Sequence, residues 1–81
     1  MRAYVLIESA VGQANAVGNG VGKLTFPNAR VISVDAVTGP FDIIALLESN
    51  DLDKLGQAIT DGIQQVEGVQ RTTTCLVVKL G

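Results

Sequence analysis

Apolar runs at strand spacing alternate along this chain with apolar positions at helical spacing, and their order predicts the elements. Residues 2 to 8, Arg-Ala-Tyr-Val-Leu-Ile-Glu, are rich in β-branched and aromatic residues and predict a first strand. Ser9 to Gln13 then supply small and turn-forming residues. From Ala14 the apolar positions Ala14, Val17, Val21 and Leu24 recur at spacings of three, four and three, which is one face of a helix. Gly18, Gly20 and Gly22 interrupt it, each costing about 1 kcal/mol relative to alanine, so packing must hold this helix together. Phe26-Pro27-Asn28 stops it, because proline disfavours helix at the residue before it and has no N–H to donate.

Residues 29 to 37 predict a second strand, with Val31, Ser33, Asp35 and Val37 on one side and Ile32, Val34 and Ala36 on the other. Strict alternation makes one face wholly apolar and the other mixed. Phe41 to Glu48 is an almost unbroken apolar run, the kind found in the middle of a sheet, and predicts a third strand. Asn50 is placed to cap a second helix, and Asp51 and Asp53 suit its positive N-terminal end. Leu52, Leu55, Ile59, Ile63 and Val66 form its apolar stripe. Gly68 stands where a helix-ending glycine belongs, and Val69 to Leu80 predicts a fourth strand rich in threonine and valine. Two β-α-β halves with right-handed crossovers, joined by a hairpin, give an α+β, ferredoxin-like βαββαβ fold, a four-stranded antiparallel sheet with two helices on one face. The other sheet face is left open, and a second copy of the chain is the economical cover, giving a dimer formed through the sheet.

Composition sharpens that expectation. The 81 residues make room for one domain, residues 1–81. A domain this small hides only roughly 60% of the surface that its unfolded chain exposes. Yet 47% of the residues are hydrophobic and the mean hydropathy is +0.35, with one cysteine and no histidine to build a disulfide or a metal cluster. The apolar surplus predicts an obligate oligomer, and no cofactor is expected. A net charge of −2 and six scattered basic residues argue against direct nucleic-acid binding by this chain. No apolar run approaches the ~20 residues that span a bilayer. Met1-Arg2 leads straight into a strand with no signal-peptide anatomy, so the chain is expected to be cytoplasmic. Cys75, in the run Cys75-Leu76-Val77-Val78, is expected as a small buried thiol and not a nucleophile.

Candidate chemistry gathers at Thr38-Gly39-Pro40-Phe41-Asp42. Gly39 can take the positive φ of a tight turn, Pro40 fixes its own φ, and Asp42 brings a charge to the start of the next strand. Such a turn serves as a plain solvated hairpin or as a binding loop. Phe41 and Asp35 have ordinary structural roles open to them, packing for the ring and a rim charge for the acid. The run Gly18 to Lys23 is not a phosphate loop, since Val17 occupies the required first glycine position and Leu24 follows Lys23. The lack of histidine, of tryptophan and of suitably spaced carboxylate pairs argues against an enzyme.

The element order, the turn from Thr38 to Asp42 and the run Glu67-Gly68-Val69-Gln70-Arg71-Thr72-Thr73-Thr74-Cys75 together resemble the effector-binding domain of the Lrp/AsnC family of feast/famine transcription regulators. In that family a Gly-x-x-Asp turn joins strands two and three and a Gly-Val-x-x-Thr-x-Thr-like segment opens strand four; here these are Gly39 to Asp42 and Gly68 to Thr74. The resemblance covers nearly the whole chain. Family regulators usually carry an N-terminal helix-turn-helix, which is absent here, so the chain looks like the stand-alone form. The resemblance implies dimers assembled into larger rings such as an octamer or decamer, an amino-acid effector held where dimers meet, and a full-length regulator of the same family as partner. Asp42 suits the effector's ammonium, and its carboxylate suits backbone N–H groups of Gly39 and Phe41 or hydroxyls, which Thr72 and Thr74 can present from one face of strand four. Threonine is also simply a good strand residue. Two other readings share the strand order: an ACT-like regulatory domain with Gly12 as its key glycine, and a small dimeric ferredoxin-like enzyme.

Overall fold

Ala3, Val5 and Ile7 are wholly buried while Arg2 and Tyr4, on the alternate positions, stay exposed, and this alternation sets the plan of the molecule. The computed structural model describes residues 1 to 80. The strands are β1 (Arg2–Ser9), β2 (Ala29–Ala36), β3 (Ile43–Ser49) and β4 (Val69–Leu76); the helices are α1 (Ala14–Gly22) and α2 (Leu52–Gln57). The strands form one antiparallel sheet in the order β2-β3-β1-β4, the ferredoxin-like arrangement. β3 alternates like β1, with Ile43, Ala45 and Leu47 buried. Val17 and Val21 of α1, with Leu55 of α2 and Ile59 and Ile63 beyond it, complete one core on that side of the sheet. Each such side chain contributes about 1.5–3 kcal/mol by leaving water.

Five sequence expectations are corrected here. In β2 the register passes from Val31 opposite Leu47 to Ser33 opposite Leu46, so Ile32 is an extra residue. This bulge resets the alternation. Val31 and Val34 therefore both pack on the core, and Ile32 is exposed. At the second helix the cap is Asp51 and not Asn50: its carboxylate accepts the Lys54 N–H at 2.8 Å. The α-helical part is short, giving way to a π turn over Ala58–Gly62 and a 3-10 turn over Ile63–Gln65; Leu52, assigned to the apolar stripe, is 56% exposed. The fourth strand stops at Leu76, and Cys75 is exposed, because its place opposite Tyr4 puts it on the open sheet face.

Candidate functional site

The β2–β3 connection closes as the sequence predicts. Gly39 sits at φ +133°, a conformation that L side chains rarely adopt, with no atom within 4 Å of where its side chain would begin. Phe41 and Asp42 precede β3 instead of opening it. The Asp42 N–H donates to the Ile7 carbonyl at 2.9 Å, and the Asp42 carbonyl accepts from the Val37 N–H at 2.9 Å. Asp42 thus belongs to both neighbouring ladders.

Its side chain extends one of them. Ser9 stands one rung beyond Ile7 on β1, where the pairing with β4 shifts register between Glu8 and Ser9. Its N–H donates to Asp42 Oδ2 at 2.8 Å and its hydroxyl donates to the same oxygen at 3.0 Å. A carboxylate side chain takes the rung that backbone would otherwise fill, and the acid is held half-buried at the end of the sheet. Nothing in the sequence singled out Ser9, because a serine in a turn-forming stretch has many ordinary uses.

Thr72 and Thr74 pair with Ile7 and Val5, whose side chains are buried under the helices, so both hydroxyls lie on the helix side of β4. Thr72 Oγ1 accepts a hydrogen bond from Gln64 Nε2 at 2.9 Å. Thr74 lines a cavity of about 310 Å³ between α2 and β4, whose apolar walls include Leu52, Leu55, Ile59 and Leu76. Gly39, Phe41 and Asp42 come together at one end of the sheet. The threonines do not join them within the chain: Thr72 and Ile43 flank Ile7 from opposite sides, two strand spacings or about 10 Å apart. Gly12, the candidate glycine of the ACT-like reading, has φ +77° in open space before α1. Among the described residues no group of three or more His, Cys, Asp or Glu side chains is placed to hold a metal ion, and no helix is long and apolar enough to cross a membrane.

No curated protein matches the chain. Among solved structures it is similar to TTHA0845 from Thermus thermophilus, with 36% identity over 99% of this chain and 95% of that one and a TM-score of 0.84. It also superposes on E. coli AsnC at a TM-score of 0.85, with 18% identity over 98% of this chain but only 51% of AsnC. The transcriptional regulator NMB0573 from Neisseria meningitidis, solved as a complex with L-Met, matches at a TM-score of 0.78, with 22% identity over 96% of this chain and 49% of that regulator. These last two likenesses establish the fold alone. The model of the Lrp/AsnC ligand binding domain matches residues 3–80, nearly the whole chain and all four strands of the βαββαβ sheet: the chain belongs to the Lrp/AsnC ligand binding domain family.

Proposed function

We propose that the domain is a non-catalytic, cytoplasmic amino-acid sensor that acts by assembly, modulating transcription of amino-acid metabolism through a DNA-binding relative. The observation that carries this reading is the carboxylate of Asp42, held through Oδ2 by Ser9 beside an open glycine turn. Oδ1, which neither bond uses, is free to take the ammonium of an amino acid. The N–H groups of Gly39 and Phe41, in the same turn, are the donors for its carboxylate in this reading. Thr72 and Thr74 stand too far away in the same chain, so a neighbouring subunit's strand supplies the hydroxyls and the site is complete only at a junction between subunits. NMB0573, a regulator of the same fold, was solved with L-Met, which supports this ligand class.

Assembly begins at the open sheet face. Tyr4 lies between Leu46 and Cys75 there, and Leu6 between Ile44 and Thr73. Tyr4 is 44% exposed on this half-apolar surface, an area that a second copy buries as a dimer. Dimers then build the ring.

Thermal stability at fixed protein concentration, with and without each proteinogenic amino acid at millimolar levels, tests the reading. A ligand at 100 times its Kd adds about 2.7 kcal/mol. A selective rise that disappears in Asp42→Ala is expected. The absence of any shift in a fully assembled sample overturns sensing and leaves a purely structural assembly module.

A further inference from the structure

At the end of the sheet remote from Asp42, where Ala29 pairs with Ser49, lies a cavity of about 220 Å³. Phe26 and Ala29 form one wall, and Lys54, Gln57, Ala58 and Asp61 form the other. Three features mark it. The second helix widens to a π turn over Ala58–Gly62 along this wall, a distortion that occurs mostly as single turns and frequently at functional sites. A Cβ on Gly62 would overlap the Phe26 ring, so the ring lies directly on the π-turn backbone and the wall is fixed. Lys54 and Asp61 bring opposite charges to the same cavity, and among the described residues neither side chain takes part in an ion pair.

We propose that this cavity binds a compact zwitterion, an α-amino acid with a short apolar side chain. Its carboxylate pairs with the Lys54 ammonium and its ammonium with the Asp61 carboxylate, while its side chain lies against Phe26 and Ala58. One molecule then satisfies both charges with charge-assisted bonds, which no anion or cation alone achieves. The volume falls below the ~300 Å³ at which sites for drug-sized ligands begin, which restricts the ligand to a small one. Every group required belongs to one chain, so the site works in a single subunit, independently of the junction proposed around Asp42.

Alanine-methyl-labelled protein reads the two sites separately, because Ala29 and Ala58 line this cavity whereas Ala36 pairs with Ile43 beside the Asp42 turn. Glycine, alanine, valine and methionine serve as probes. The Ala29 and Ala58 methyls are expected to shift saturably with at least one of them. Lys54→Met and Asp61→Asn should each raise the apparent Kd at these methyls by about tenfold or more, the effect of losing one bond worth 1.4 kcal/mol. Asp42→Ala should leave the same shifts intact and abolish those at Ala36. Both cavity substitutions remove unpaired surface charges, and an unchanged spectrum of the unliganded protein verifies the fold. Ala29 and Ala58 methyls that stay still at the solubility limit of every probe, or that shift equally in both cavity variants, overturn the proposal. Failure of sensing at Asp42 shows only at Ala36.

Discussion

Ser9 grips Asp42 twice, through its backbone N–H at 2.8 Å and its hydroxyl at 3.0 Å, and both bonds end on the same carboxylate oxygen. The geometry orients the acid without consuming it. Ser9→Ala removes one of the two donors and leaves the other. Because the site is half-exposed, the expected loss of stability is about 1 kcal/mol, below the usual range for a hydrogen bond to a charged group. Amino-acid affinity should fall with it, since Asp42 is then free to turn away from its ladder position. Calorimetric titration of the variant checks this, and an affinity equal to wild type would show that Ser9 only finishes the strand.

Two glycines of the second helical segment should respond in opposite directions to alanine. At Gly56 there is open space for a methyl group, so Gly56→Ala should stabilise the fold by about 0.5–1 kcal/mol through helix propensity. At Gly62 the new Cβ overlaps the Phe26 ring, and forcing the ring aside should cost about 1–3 kcal/mol. Urea denaturation of both variants gives the signs. A stable Gly62→Ala protein would mean that the Phe26 wall yields freely.

The same segment shows where sequence reading succeeds and where it stops. The stripe Leu55, Ile59 and Ile63 was legible because its spacing stays close to helical through the π turn, and those three residues are buried. The π turn itself left no periodic signature, nor did the bulge at Ile32: each inserts one extra residue, seen only in the backbone hydrogen bonds of the helix in one case and in the register against β3 in the other. Gly39 was legible because a positive φ restricts residue type; Ser9 was not, because hydrogen bonding through an N–H is open to almost any residue. Cys75 was misread for a related reason. An apolar neighbourhood in sequence predicts burial only if the sheet face it lies on is covered within the chain.

The exposed Cys75 thiol turns that error into a probe of assembly. It lies opposite Tyr4 on the open sheet face, so a dimer formed through this face shields it. An aromatic disulfide reagent should label wild-type protein slowly at concentrations where it is assembled. Tyr4→Arg places a charge in the middle of the face, and should yield a smaller species by light scattering whose thiol reacts at least about tenfold faster, as expected if shielding is worth 1.4 kcal/mol or more. Equal labelling rates in both proteins would place the interface elsewhere.

Glu48 predicts how the rim of that face responds to acid. Arg2 Nε donates to its Oε2 at 3.0 Å and Arg30 Nε to its Oε1 at 3.1 Å, and these hydrogen bonds, Arg2 first and Arg30 second, hold its carboxyl below the ordinary value of 4.5. Partial desolvation opposes them and loses. With the folded value depressed, the unfolded chain binds more protons in the window just below 4.5, so stability rises with pH there. The contribution is complete above the unfolded value and is lost as pH falls through the folded one. Glu48→Gln cannot titrate, so its stability should fall less steeply than that of wild type across this acid window. The Glu48 side chain is 32% exposed, hence the difference should be small and should shrink further in high salt. Identical acid slopes for the two proteins at low salt would mean that the two arginines do not grip the carboxylate in solution.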